Sequence, residues 1–119
     1  MLTRRSYATE LMAASRQIVV VEDVFVRTFL RAALERMGYR VVCPNPAEAV
    51  RLLSSGEIDL LVTNTPGEFS DFGATVPLLY IAAFPDPSCA SAFQRWLPLH
   101  KPFQSAELAS AVQRLLEAE

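Results

Sequence analysis

The residues able to do chemistry in this chain stand at the ends of apolar runs. Glu22 and Asp23 follow "QIVVV", Asn64 follows "LLVT" and Lys101 follows "WLPLH". Two adjacent acids and a lysine gathered in one crevice suit a divalent cation and a phosphoryl group, because hard cations take oxygen ligands and an ammonium balances phosphate charge. The same acids have a plainer use: both solvate a strand end, and Asp23 caps the helix that follows. Other candidates carry less. His100 has no second histidine or cysteine at metal spacing and is expected to face solvent on its strand. Cys43 and Cys89 have neither metal nor redox spacing and are expected as small core residues of a reduced, cytoplasmic protein. Glu68 and Asp71 are expected to be solvated, no glycine loop cradles phosphate, and the one histidine has no partner to orient it as a base.

The elements that must position these residues are legible as alternating runs. "QIVVVE" is continuously apolar, as a strand buried on both faces requires. Val26, Phe29, Leu30, Ala33, Leu34 and Met37 then recur at helical steps, with Gly38 past the end. "YRVVC" is a second strand, and "NPAEAVRLLSSG" a second helix with Asn45 at the N-cap, Pro46 at the first position and Glu48 placed to bond back to the cap. "IDLLVT" and "PLLYIA" are the third and fourth strands. Asp86-Pro87 is expected to start a helix running to about Arg95. "WLPLH" is the fifth strand, and the last helix shows Leu108, Ala111, Val112, Leu115 and Leu116 on one side.

Strands alternating with helices predict an α/β fold: a doubly wound, five-stranded parallel sheet. Pro98 donates no ladder bond, so the fifth strand is placed at an edge, which agrees with the order 2-1-3-4-5. Only "TPGEFSDFGATV" joins Asn64 to Pro77, so the helix between strands 3 and 4 is expected to be shortened or lost. That leaves one sheet face short of cover, to be filled by Phe69, Phe72 and Val76 or by a partner. In such sheets ligands bind beyond the carboxyl ends of the strands, where Glu22, Asp23, Asn64, Ala82 and Lys101 are delivered.

The totals agree with one such domain. The chain has 119 residues, 51% of them hydrophobic, and a formal net charge of -2, enough for one core and without the basic stripe of a nucleic-acid binder. Residues 17–119 form the expected domain, and residues 1–16 an N-terminal extension, either a short helix or a frayed terminus. Arg4-Arg5 suggests an export signal, but Glu10 and Arg16 interrupt the apolar stretch that one needs. No run approaches the roughly 18 apolar residues of a membrane span.

Taken in order, "IVVVEDV", Gly38, "IDLLVTN", "PLLYIAA" and "HKPF" followed by "EL" resemble a response-regulator receiver domain of the chemotaxis type, over residues 17–119. The resemblance implies two-component signalling, in which an aspartate after strand 3 takes a phosphoryl group from a histidine kinase. It further implies that the acidic pair holds magnesium, that the lysine contacts the phosphoryl group, and that a hydroxyl after strand 4 and an aromatic residue on strand 5 report it. Here the acceptor position is Asn64, the hydroxyl position Ala82 and the aromatic position Pro98, while Glu22, Asp23 and Lys101 are retained. A carboxylate can attack phosphorus to form an acyl phosphate and a neutral amide cannot.

The expectation is a degenerate receiver: not an enzyme, acting by protein–protein contact, with no cofactor beyond weak or absent magnesium at Glu22 and Asp23. Asn64 is expected to hydrogen-bond Asp23 or Lys101. Partners are a histidine kinase, an effector or a second copy, with a homodimer through helix 4, strand 5 and helix 5 or through the face lacking helix 3. Trp96 is expected either as half-buried core or, the favoured reading, as an interface anchor. The alternative is a ligand-binding protein that uses Glu22, Asp23 and Lys101 for magnesium and a phosphorylated small molecule. Use of Glu22 or Asp23 as a substitute acceptor is disfavoured, since both are needed for the metal.

Overall fold

The computed structural model describes residues 16–117; the expected extension falls almost wholly outside the described residues. The chain alternates as its apolar runs dictate: β1 (Gln17–Val21), α1 (Val24–Arg36), β2 (Arg40–Val42), α2 (Pro46–Ser54), β3 (Leu60–Thr63), β4 (Leu78–Ala82), β5 (Trp96–His100) and α3 (Ser105–Glu117). All strand pairings are parallel and the order is β2-β1-β3-β4-β5, as expected. Ile18, Val19, Val20, Leu60, Leu61 and Val62 are fully buried, because strands in the middle of this sheet are covered on both faces.

Local punctuation sets the helix limits. The Asp23 carboxylate accepts from the backbone N–H of Phe25 and Val26, opening α1, and Asn45 accepts from Glu48 N–H at 2.8 Å, opening α2. The return bond expected of Glu48 is not made; its carboxylate pairs with Arg51 one turn on. Gly38 and Gly56 leave the helices at φ of 99° and 79°, where a side chain would be strained.

The two faces of the sheet are covered differently. On one, α1 and α3 bury Leu30, Leu34, Leu108 and Val112 against Ile18, Val20 and Leu60. On the other, among the described residues, stands a single α-helix, α2, and the rest of the described cover is irregular. Between β3 and β4 the expected lost helix is replaced by a 3-10 segment, Pro66–Phe72, whose Phe69 is buried together with Val76. Between β4 and β5 the expected helix from Asp86 to Arg95 is absent too. Asp86 does cap its start, but only one 3-10 turn forms, Pro87–Ala90. Ala90 and Phe93 are the only buried side chains in that stretch, one turn's worth of apolar face, and a short helix needs a longer stripe to be held. Cys89 lies exposed on this turn, which corrects its assignment to the core; Cys43 is partly buried.

The two 3-10 segments brace each other. Gln94 N–H donates to the Gly73 carbonyl at 3.0 Å, and the Gly73 Cα lies so close to Ala92 that an added Cβ would stand 1.9 Å from the Ala92 carbonyl oxygen. Phe69, Val76, Ala90 and Phe93 thereby form one cluster over Leu61, Leu78 and Tyr80, where helices would otherwise lie.

Candidate functional site

The register of the sheet assembles the crevice. Val21 pairs with Thr63, so Glu22 and Asn64 leave neighbouring strand ends side by side; Ala82 pairs with His100, so Lys101 leaves at the same level from the far edge. Lys101 N–H donates to the Ala82 carbonyl at 2.9 Å, which extends the β4–β5 ladder by one bond and fixes where the lysine side chain departs. Its ammonium then reaches Glu22 Oε1 at 3.4 Å and Asp23 Oδ2 at 4.0 Å. Acid pair and lysine are thus one cluster, although 79 residues separate Glu22 from Lys101.

Within the cluster the acids differ. The Glu22 side chain is wholly buried; Oε1 accepts from Asp23 N–H at 3.2 Å and from Lys101, while Oε2 has no hydrogen-bond partner. Burial pushes its carboxyl above the ordinary value, against the opposing pull of Lys101. Asp23 is exposed, and hydrogen bonds from the Val26 and Phe25 backbone N–H hold its carboxyl below the usual range. Asp23 therefore caps α1 while touching the lysine, whereas Glu22 is buried and does not solvate the strand end.

Asn64 is exposed, and among the described residues its amide has no hydrogen-bond partner. The expected bonds to Asp23 or Lys101 are not formed, because Lys101 turns to the buried acid and Asp23 is held by its helix. What fixes position 64 is Thr63, a residue to which sequence reasoning gave no role. Its buried hydroxyl donates to the Val21 carbonyl at 2.9 Å and accepts from Thr65 N–H at 3.1 Å, tying the β3 end to β1 and setting the turn that presents Asn64. A threonine two residues before a backbone N–H at a strand end is the available signal.

Of the remaining expected residues, Ala82 adjoins the cluster through its bond from Lys101 N–H, and the others lie along β5. Ala82 is half-buried at the end of β4, and Pro98 is exposed on β5, three residues before the lysine. Trp96 is half-buried at the opposite end of β5, its ring tilted on Tyr80 at 6.2 Å. His100 is exposed, as expected.

The donor set fits a divalent ion poorly. Among the described residues no group of three or more His, Cys, Asp or Glu side chains converges. One carboxylate is engaged by a helix and a cation already touches both, whereas magnesium demands near-octahedral oxygen ligands. Among the described residues, Glu22 Oε2 is the one buried side-chain polar atom left without a hydrogen-bond partner.

No family model matches this chain, and no curated protein matches it significantly. Solved structures do. A response regulator receiver protein from Sinorhizobium medicae superposes with a TM-score of 0.71 at 25% identity, over 87% of this chain and 96% of its own. The chemotaxis protein CheY4 of Vibrio cholerae gives a TM-score of 0.71 at 22% identity, over 85% and 98%. The receiver domain of a sensor histidine kinase from Pseudomonas aeruginosa, solved with magnesium coordinated in its active-site cleft, gives 0.70 at 24%, over 87% and 98%. With the strand order and the crevice at the strand ends, these likenesses show that the chain has the receiver-domain fold of two-component response regulators.

Proposed function

We propose that this chain is a degenerate receiver: a cytoplasmic, non-enzymatic signalling domain that works by protein contact and takes no phosphoryl group at position 64. Its partner is a histidine kinase, an effector or a second copy of itself. The observation that carries this reading is Asn64 itself, a neutral amide at the β3 end beside an acid pair that Lys101 already contacts. The amide is no nucleophile toward phosphorus. Loss of the hydroxyl at Ala82 and of the aromatic ring at Pro98 points the same way, because a phosphoryl group would find no reporter. Magnesium binding at Glu22 and Asp23 is weak or absent in this reading.

Intact-mass analysis after incubation with magnesium and acetyl phosphate tests it, and no phosphoryl mass increase is expected. An increase dependent on magnesium overturns the reading. Trp96 fluorescence is a poor reporter, because that residue lies at the far end of β5 from the crevice. The buried, unpartnered Glu22 Oε2 favours a second reading, in which Glu22, Asp23 and Lys101 hold a cation and a phosphorylated small molecule. Saturable magnesium binding by calorimetry without covalent change supports that alternative.

A further inference from the structure

Beside the free β5 edge the cover of the sheet stops short. Between β5 and α3 lie two open hollows of about 480 and 390 Å³, which share Leu97 and Arg114 and so run on as one groove. Leu97, Pro98 and Leu99 line it on the strand side. On the helix side stand Ala106, Ser110 and Ala111, whose side chains are too short to reach across. Ala106, Ser110 and Pro98 are exposed and Leu97 is half-buried, so among the described residues nothing closes over the groove.

The chain supplies a filler at one end of this groove. Arg40 N–H donates to the Arg16 carbonyl at 3.0 Å and the Arg16 guanidinium to the Leu116 carbonyl at 3.5 Å, so the chain enters β1 beside the carboxyl end of α3. Arg95 donates to the Leu115 carbonyl at 3.0 Å, which sets the smaller hollow at that same end. Three strand spacings, about 14 Å, separate β1 from β5, and residues 13–16 span that when extended. The ten residues before them, "TRRSYATELM", make about 15 Å of helix with Tyr7, Leu11 and Met12 on one face. α3 lines the groove from Ala106 to Leu115, about 14 Å. Charge agrees with length. Leading away from β1 the segment presents Glu10 and then Arg4, and the groove presents Arg114 and then Glu107. The helical rise between the members of each pair is about 9 and about 10.5 Å. Arg114 makes no ion pair among the described residues, and Glu107 uses only Oε1, which accepts from Gln104 N–H at 2.8 Å.

We infer that residues 3–12 of this same chain seat in the β5–α3 groove as a short helix, with Tyr7, Leu11 and Met12 against Leu97 and Ala111, Glu10 at Arg114 and Arg4 at Glu107. The seated segment covers the β5–α3 face, so a partner or second copy that uses this face must first displace it. The inference goes beyond the contact reading given above and does not depend on the chemistry of position 64.

Nuclear magnetic resonance of the full chain tests it. Nuclear Overhauser contacts are expected from the Leu11 and Met12 methyls to those of Leu97, Ala106 and Ala111, at intensities independent of protein concentration. In a mixture of differently labelled chains they are expected within a chain and not between chains. Glu10→Arg is expected to weaken them about threefold or more, and Glu10→Arg/Arg114→Glu to restore most of the loss. Because Arg114 is exposed and unpaired among the described residues, its reversal is expected to leave the circular dichroism of the domain unchanged. Absence of the contacts overturns the inference. So do contacts that arise only between chains, which assign the groove to a second copy, and a double reversal that stays as weak as the single one. The mass experiment stands apart. A phosphoryl group gained at position 64 sinks only the degenerate reading, and an empty groove sinks only the seated segment.

Discussion

At position 64 one functional group decides which chemistry the crevice supports. With aspartate there, three carboxylates would crowd the strand ends and a divalent ion would relieve their repulsion. With asparagine, two carboxylates remain and Lys101 touches both. Asn64→Asp is therefore expected to raise magnesium affinity about tenfold or more over the parent, read by calorimetry. No change would show that Lys101, not the amide, keeps the ion out. Glu22 carries a second consequence. Because burial raises its folded-state carboxyl above the ordinary 4.5, the folded chain holds that proton more tightly than the unfolded chain does. Stability from this group is then largest at low pH and falls as pH rises from about 4.5 through the raised value. Glu22→Gln removes this dependence, and its urea midpoint at pH 7 is expected to be no lower than the parent's, since an uncharged side chain avoids the burial penalty. A clearly lower midpoint would show that the contact with Lys101 outweighs burial. The identities of Glu22, Asp23, Asn64 and Lys101, and their arrival at strand ends, were legible from apolar runs alone. The partners chosen by their side chains were not, because that competition among a helix cap, a buried oxygen and an ammonium is decided by distances of an ångström or less.

Elements with strong local punctuation were legible, and the irregular cover was legible only in part. Asp23, Asn45, Gly38 and Gly56 mark helix ends through backbone chemistry that acts within a few residues. The shortened link from Asn64 to Pro77 followed from its length. The turn at Pro87–Ala90 did not, because Asp86-Pro87 opens a helix and a single turn equally well. What holds that turn is a tertiary contact: the Gly73 backbone against Ala92, with Phe93 and Phe69 packed beneath. Gly73→Ala would drive a methyl into a backbone carbonyl from which neither chain can easily retreat, and is expected to destabilise by ~1–3 kcal/mol in urea unfolding. Phe69→Ala removes the largest fully buried side chain among the described residues and is expected to cost about 3–5 kcal/mol by the same measurement. Losses well below these would show that the two segments are loose flaps and not structural cover for the sheet.

For the molecule as a whole, an open five-stranded sheet must end in two edges, and unpaired edge groups invite another chain. The β2 edge is only three residues long. The β5 edge is five residues long and is handled by sequence. Leu78 N–H donates to the Arg95 carbonyl and Lys101 N–H to the Ala82 carbonyl, so the backbone groups of odd-numbered residues face β4. By the alternation of a strand, those of Trp96, Pro98 and His100 face outward. Pro98 thus stands at the middle of the free edge, where an added strand would seek a donor, and it has none to give. The position that the receiver resemblance associates with an aromatic reporter thus carries a residue that cannot donate to an added strand. Pro98→Val restores the outward N–H and adds a strand-favouring side chain while leaving the bonds to β4 intact. The variant is expected to fold with unchanged far-ultraviolet circular dichroism and to sediment at a higher weight-average mass than the parent at equal concentration. If the two sediment alike across the concentration range, the proline is not what keeps the edge unpaired, and the exposed ring of His100 and the groove between β5 and α3 become the features that an incoming strand fails to accommodate.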